Sequence, residues 1–178
     1  LHIDIIQLQQ GIIEIKNKPS STTTTLLSCG TWPSTDTVIA VDPVSYAILP
    51  ERKTGEIWCQ NKSVGNGYWQ NQASTEHYFR AFTQDKQGPF LRTGDLGFIH
   101  EKQLYITGRI KDLIIIRGRN FCAEDIEWAC QHTHRSIRPS GICAFSFSKD
   151  LEEKLGLIIE IKKQPSTAKD IFESIRKK

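Results

Sequence analysis

Short apolar segments separated by turn residues run through the first 110 residues of the chain. β-Branched and aromatic residues predict three short strands, at 38–41, at 56–59 and around 104–107. A further apolar stretch lies at 11–15, and the Ser/Thr-rich run at 19–25 predicts an exposed loop or linker. Several short strands joined by turns favour a small antiparallel sheet or barrel.

The periodicity changes after Gly108. A β-branched run predicts a buried strand at 113–116, and acidic residues begin a predicted helix at 123–132. Two more strands are predicted at 142–147 and 157–161. Thr167 is the predicted N-cap of a last helix, whose apolar face would consist of Ala168, Ile171, Phe172 and Ile175. This order of elements predicts a compact α+β unit that follows a β-rich one.

Composition narrows the class of protein. With 38% hydrophobic and 24% charged residues, the chain has the balance of a folded globular protein rather than a disordered one. The net charge of +3 is too small to indicate a nucleic-acid partner, and no apolar run is long enough to span a membrane. Five cysteines without a Cys-x-x-Cys pair favour a reducing compartment, so we expect a cytoplasmic protein. The chain begins at Leu1 and contains no methionine, which we interpret as a piece of a longer polypeptide.

Two short blocks carry candidate chemistry. Thr93-Gly94-Asp95 predicts a carboxylate on a glycine-sharpened turn, where it could accept hydrogen bonds from the two vicinal hydroxyls of a ribose. Arg109, which follows Gly108, could reach a phosphate or the same sugar through its planar guanidinium. The simpler interpretation is that Asp95 caps a turn and pairs with Arg109 on the surface. Short motifs alone leave both interpretations open.

Other candidate sites are weaker. In a helix Cys130 and His134 could share a face, whereas His132 points elsewhere, so a buried cysteine with exposed histidines is favoured over a metal site and no metal ligand is predicted. The four tryptophans could stack on nucleobases, but core packing is the more common role of such residues. Cys122 has no histidine base placed beside it by the sequence.

The two blocks, in their order and spacing, resemble late signature motifs of the adenylate-forming superfamily. The resemblance covers the chain from about residue 26 to its end. Several segments carry it: Gly55-Glu56-Ile57-Trp58, Gly67-Tyr68-Trp69, the block from Phe90 to Phe98 and the block from Gly108 to Asn120. Three segments look specifically like the fatty acyl-AMP ligase branch: Leu27-Ser28-Cys29-Gly30, Leu113 to Asn120 and Asp125-Ile126-Glu127. The chain departs from the usual pattern at Glu101-Lys102-Gln103, where most CoA ligases have Asp-Gly, and at Phe121-Cys122-Ala123.

The resemblance implies roles for single residues. Asp95 would bind both ribose hydroxyls of the nucleotide, Arg109 would contact the ribose and the phosphate side, and Ile106 would line the nucleotide pocket. Lys111 would occupy the hinge about which the C-terminal domain rotates, and Gly118 would lie in the loop that the rotated domain brings to the active site. The adenylation lysine would lie beyond Lys178, so no catalytic residue is expected in the chain, and residues 1–178 are expected to be inactive alone.

The resemblance also implies an architecture. Residues 29–110 would form the distorted antiparallel β-barrel subdomain of the N-terminal domain, and residues 112–178 an incomplete mobile C-terminal domain. Residues 1–28 would be a linker or the tail of an insertion. The fold class expected is therefore α+β.

The implied reaction activates a fatty acid as acyl-AMP with ATP and Mg²⁺, and then transfers the acyl group to an acyl carrier protein. An acyl-CoA synthetase or a nonribosomal adenylation domain is the alternative within the superfamily. A non-catalytic protein-binding module is the alternative from another class of function. Neither a nucleic acid nor a membrane is expected as a partner.

Overall fold

The computed structural model describes residues 1–116, 119–149, 152–162 and 168–177, and the chain divides into two compact units, Leu1–Lys111 and Asp112–Lys178. The first unit contains seven strands and two helices in the order β1 (His2–Asp4), α1 (Ile5–Gln9), β2 (Ile15–Lys16), β3 (Thr23–Thr25), β4 (Thr37–Val41), β5 (Gly55–Gln60), α2 (Gln72–Phe79), β6 (Leu91–His100) and β7 (Gln103–Arg109). The 3₁₀ turn Ile110–Asp112 follows β7.

The main sheet of the first unit is antiparallel, with strand order β4-β5-β6-β7. All of residues 1–111 are described, and the outer strands β4 and β7 do not pair with each other, so the sheet of the expected distorted β-barrel is open rather than closed. Short segments satisfy the outer edges instead. Cys29 N donates to Leu104 O at 2.8 Å on the β7 edge, and Leu49 N donates to Ala40 O at 2.8 Å on the β4 edge.

The N-terminal residues form a second, three-stranded sheet with the order β2-β1-β3. Thr23–Thr25 pairs with His2–Asp4, so the loop predicted at 19–25 is wrong for these three threonines. The reason is packing: Ile3 at the centre of β1 is fully buried in an apolar cluster with Ile13, Phe98 and Tyr105. Burying that side chain stabilises the small sheet against the loop conformation favoured by local composition.

A second core cluster of the first unit surrounds Trp58, which is fully buried with Val41 and Phe90. The core role predicted for tryptophan is thus confirmed for Trp58. It is wrong for Trp69, whose surface is 89% exposed, and for Trp128, which is also exposed.

The second unit contains β8 (Leu113–Ile116), β9 (Arg119–Cys122), α3 (Ala123–Gln131), β10 (Ile137–Lys149), β11 (Glu152–Ile161) and α4 (Ala168–Arg176). Antiparallel hairpins pair β8 with β9 and β10 with β11. The two helices contribute to a core of Cys130, Ile137, Ile142 and Ile171. The α+β class predicted from the sequence is confirmed. Thr167, the predicted helix cap, lies outside the described residues.

The apolar face predicted for α4 is only partly buried, because Ile171 lies in the core while Phe172 is 60% exposed. Across the described parts of both units, no helix has the length and apolar character needed to cross a lipid bilayer.

Candidate nucleotide-binding site

Asp95 on β6 and Arg109 on β7 form the centre of the candidate site. Arg109 Nε donates to Asp95 Oδ1 at 2.7 Å, and the side chains are 63% and 30% exposed, respectively. A carboxylate offers about four acceptor positions, so one bond from Arg109 leaves capacity for a pair of vicinal hydroxyls. The structure therefore places Asp95 and Arg109 in contact, as both interpretations of the motif require: a ribose-binding site and a surface ion pair.

The register of the two strands explains this pairing. Asp95 lies directly opposite Arg109, and Leu96 lies opposite Gly108. The next pair is Gly97 with Ile106, so Thr107 is an extra residue on β7 and forms a β-bulge. Bulges increase local twist and redirect side chains, and this one lies immediately beside the Asp95–Arg109 pair.

The Thr-Gly-Asp motif lies within the ten-residue strand β6 rather than in a turn between elements, which corrects the local prediction. Gly94 has φ +75°, a left-handed conformation that favours glycine and interrupts the regular strand. Thr93 Oγ1 donates to Ile57 O at 2.7 Å and accepts from Asp95 N at 3.1 Å. The threonine hydroxyl thus fixes the backbone on which Asp95 is presented.

Glu56 is a site residue that sequence reasoning missed. Its side chain is 1% exposed, and its Oε1 accepts a hydrogen bond from Gly94 N at 3.2 Å. The signal that could have identified it is a carboxylate next to the large apolar residues Ile57 and Trp58 in the strand predicted at 56–59, because a charge buried beside such residues requires a partner.

That partner is Arg92, two residues before Gly94 on β6. Arg92 Nη2 lies 2.8 Å from Glu56 Oε2, and Arg92 Nε donates to the same oxygen at 3.0 Å. The guanidinium carbon lies 5.2 Å from the ring centroid of Tyr46 and 5.5 Å from that of Trp58. Burial alone would lower the pKa of Arg92, but the hydrogen bond and charge of Glu56 raise the pKa above its ordinary value. Arg92 therefore stays charged at every physiological pH.

Ile106 lies opposite Gly97 on the neighbouring strand. A Cβ built at Gly97 would lie 3.2 Å from Ile106 Cδ1 and 3.2 Å from Ile57 Cγ1, so these two apolar side chains flank the glycine. Lys111 is exposed in the 3₁₀ turn, at the end of the first unit. Gly118 lies outside the described residues.

The remaining candidates do not form a reactive or metal-binding centre. Burial, with smaller contributions from the carboxylates of Asp125, Glu124 and Asp112, raises the pKa of Cys122 to about 11, which suppresses its thiolate. Cys130 is buried as predicted. In the described portion of the chain, no group of three or more His, Cys, Asp or Glu side chains is placed to hold a metal ion.

A cavity of about 720 Å³ lies in the second unit and contains none of the predicted nucleotide-binding residues. It is lined by Ile116, Arg119, Phe121, Glu152, Glu153, Lys154 and Leu155. The lining mixes both signs of charge with three apolar side chains, a composition that favours no single class of ligand.

Comparison with known proteins identifies relatives of the chain, although no protein-family model matches it. It is 38% identical over 151 residues to the medium-chain-fatty-acid–[acyl-carrier-protein] ligase JamA of Moorena producens. The aligned region covers 84% of the chain and 26% of JamA. The chain is 36% identical over 181 aligned positions to the long-chain-fatty-acid–AMP ligase FadD26 of Mycobacterium tuberculosis. This alignment covers 99% of the chain and 30% of FadD26.

A solved structure gives the same answer for the fold. The fatty acyl-adenylate ligase from L. pneumophila, in complex with acyl adenylate and pyrophosphate, is 36% identical and superimposes with a TM-score of 0.59. The match covers 98% of the chain and 31% of that protein. The chain therefore spans less than a third of the length of each of these three proteins. Sequence and fold agree that the chain belongs to the fatty acyl-AMP ligase family of adenylate-forming enzymes and matches their C-terminal part.

Proposed function

We propose that this chain is the part of an ATP-dependent ligase that contributes the ribose-binding residues, and that the ligase activates a fatty acid as acyl-AMP. The observation that carries the proposal is the exposed Asp95–Arg109 pair, with a 2.7 Å hydrogen bond, on two adjacent strands. The names of the relatives, which act on fatty acids through AMP or an acyl carrier protein, support the same assignment.

In this proposal Asp95 accepts hydrogen bonds from the 2′ and 3′ hydroxyls of the nucleotide. Carboxylates that accept hydrogen bonds bind more strongly than neutral acceptors, and Asp95 keeps part of its surface accessible. Ile106 supplies an apolar wall to the nucleotide pocket on the neighbouring strand.

Arg109 contacts the ribose and the phosphate side of the nucleotide. A guanidinium carries five N–H donors in a planar fork that suits phosphate oxygens, and it stays charged at any pH the enzyme meets. A fixed positive charge beside the α-phosphate stabilises the charge that develops there in the transition state.

The reaction has two steps. A carboxylate oxygen of the fatty acid attacks the α-phosphorus of ATP, the bond to the bridging oxygen of the β-phosphate breaks, and pyrophosphate leaves. The thiol of an acyl carrier protein then attacks the acyl carbonyl, loses its proton and displaces AMP. Mg²⁺ would neutralise phosphate charge, but the described residues contain no three-ligand cluster for it, so we assign it no ligand in this chain.

The domain assignment belongs to the same proposal. Residues 29–110 are part of the N-terminal domain and residues 112–178 are part of the mobile C-terminal domain, with Lys111 as the hinge and Gly118 in the loop that approaches the active site after rotation. Residues 1–28 are a linker or the tail of an insertion of the larger domain. The enzyme acts in the cytoplasm.

The test uses the protein as its gene encodes it. With fatty acids of several chain lengths, we expect ATP-dependent release of pyrophosphate and formation of acyl-AMP, detected by mass spectrometry. Omission of the fatty acid is the control. Absence of acyl-AMP for every chain length, in a protein that is folded and binds ATP, contradicts the proposed activity.

The acceptor is tested separately by offering holo acyl carrier protein and CoA in parallel reactions. Because JamA is named as an acyl-carrier-protein ligase, we expect acylated carrier protein to accumulate faster than acyl-CoA. Faster formation of acyl-CoA would retain the adenylation step and replace the proposed acceptor.

A further inference from the structure

We infer that Glu56 and Arg92 are positioning residues for nucleotide binding: their buried ion pair holds the Thr93-Gly94-Asp95 segment in the conformation that presents Asp95 to the ribose. The inference rests on the proposed function, and it assigns a role to two residues that need not contact the nucleotide themselves.

The first observation is the burial of Glu56 together with the number of donors it faces. Its carboxylate is 1% exposed and accepts from Arg92 Nε, from Arg92 Nη2 and from Gly94 N. A buried carboxylate is costly unless it is paired and hydrogen-bonded, and here both conditions are met by the strand that carries Asp95. The side chain of Glu56 on β5 therefore holds the backbone of β6 by hydrogen bonds.

The second observation is the conformation of Gly94. Its φ of +75° is left-handed, yet a Cβ built there would have nothing within 4 Å, so close packing does not account for the conformation. The hydrogen bond from Gly94 N to Glu56 Oε1 fixes the orientation of the peptide group. Asp95 is the next residue, and its own N–H donates to Thr93 Oγ1. One carboxylate and one hydroxyl thus fix both peptide groups that set the position of Asp95.

The third observation is that Arg92 is held on several sides. Its Nη1 donates to Tyr46 OH at 3.2 Å and lies 3.3 Å from His77 Nε2, and its guanidinium lies over the Tyr46 and Trp58 rings. The side chain is 11% exposed, which leaves little of it for a phosphate. Arg92 therefore acts by fixing Glu56.

The experiment compares Glu56→Gln with Ile13→Ala in the protein as its gene encodes it. Glutamine keeps the size of Glu56 and removes the charge that binds Arg92. Ile13 lies in the separate cluster with Ile3, so its truncation destabilises the same unit without touching this pair. Both variants are measured for melting temperature, for KM of ATP and of the fatty acid, and for hydrogen exchange at the Gly94 amide.

For Glu56→Gln we expect the KM of ATP to rise about tenfold, which corresponds to weakening one charge-assisted interaction, while the KM of the fatty acid stays unchanged. We also expect faster exchange at the Gly94 amide. Ile13→Ala should lower the melting temperature and leave both KM values and this amide unchanged. Arg92→Lys keeps the charge but loses the two-point contact, and it should raise the KM of ATP in the same way.

An unchanged KM of ATP in a folded Glu56→Gln or Arg92→Lys protein overturns the inference. So does an equal rise in Ile13→Ala, because the effect would then follow stability alone. If Glu56→Gln fails to fold, the KM of ATP and the hydrogen exchange of the Gly94 amide in Arg92→Lys test the inference instead. A wild-type protein that makes no acyl-AMP contradicts the proposed function instead, and exchange at the Gly94 amide then still decides whether Glu56 holds this segment.

Discussion

Asp95 and Arg109 lie directly opposite each other on adjacent antiparallel strands, joined by a 2.7 Å hydrogen bond between Arg109 Nε and Asp95 Oδ1. An exposed ion pair contributes little to stability, typically about 0–1 kcal/mol. The pair therefore contributes little to the free energy of unfolding, which is consistent with a role in ligand binding. Mutation of Asp95 or Arg109 should thus lower activity much more than stability.

Replacement of Asp95 by alanine removes the proposed acceptor of both ribose hydroxyls. Two hydrogen bonds to a charged group, at about 1.5–3 kcal/mol each, predict a loss of about 100-fold or more in kcat/KM for ATP. The melting temperature should change little. Steady-state measurement of pyrophosphate release gives the first quantity, and thermal denaturation gives the second.

The matched control is Asp85→Ala, which removes an exposed carboxylate elsewhere in the first unit. It should retain near-wild-type activity. Wild-type kinetics for Asp95→Ala would exclude Asp95 as a nucleotide ligand.

Fixing the backbone of Lys111 should separate the two half-reactions. A hinge residue changes φ and ψ between states, and proline locks φ and removes the N–H donor. We predict that Lys111→Pro lowers acyl-AMP formation and acyl transfer by different factors, measured in separate single-turnover assays. Lys111→Ala, which changes only the side chain, should keep the ratio of the two rates. If both half-reactions of a folded Lys111→Pro protein lose rate by the same factor, Lys111 is not the hinge.

The hairpin between β6 and β7 offers a site for stabilisation. Glu101 and Lys102 connect the paired residues His100 and Gln103, and their φ values are +49° and +58°, which non-glycine residues adopt at a cost. A two-residue turn with positive φ at both positions favours Asn-Gly. The double substitution Glu101→Asn, Lys102→Gly should raise the free energy of unfolding by about 1 kcal/mol.

Urea denaturation measures this change, and Lys102→Ala, which keeps the left-handed conformation without glycine, should give no gain. The contact of Glu101 with His100 is long, 3.9 Å between Oε1 and Nε2, so its loss should cost little. A double variant less stable than wild type would show that another interaction holds this turn.

The Cys122 thiol should resist alkylation. Burial and the nearby carboxylates disfavour its thiolate and raise its pKa from 9.0 to about 11, so at pH 8 its thiolate fraction is about a hundredfold below that of an unperturbed thiol. Iodoacetamide should modify exposed Cys29 before it modifies Cys122, and the rate at Cys122 should keep increasing as the pH rises towards 11. Peptide mass spectrometry measures both rates. Denaturation in urea should remove the difference, whereas equal rates in the folded protein contradict it.

Much of the fold follows from local patterns. The helix predicted at 123–132 is present as Ala123–Gln131, because its acidic first turn and its apolar residues satisfy the helix terminus and the core together. The predicted strands of the second unit are also present, although β10 and β11 extend through polar residues beyond their apolar centres. Pairing between the two strands, rather than composition, sets these ends.

Other parts depend on contacts that local patterns do not encode. Helix α2 has no apolar periodicity, and Asn71 begins it by accepting a hydrogen bond from Ser74 N at 3.0 Å. In the site, the motif and the resemblance identified Asp95 and Arg109, but not the carboxylate that binds Gly94. Glu56 and Gly94 are 38 positions apart along the chain. Only the pairing of β5 with β6 brings them together.

The division of the chain after Lys111 has a consequence for how such proteins can diversify. Asp95, Ile106 and Arg109 all precede the division, and each unit has apolar clusters of its own, such as the one that contains Phe98 in the first unit and the one that contains Cys130 in the second. A recombination event between residues 111 and 112 would exchange the second unit with its internal packing intact and would leave the proposed ribose contacts untouched. Related proteins could therefore acquire different second units by genetic exchange while they keep the same proposed ribose-binding residues.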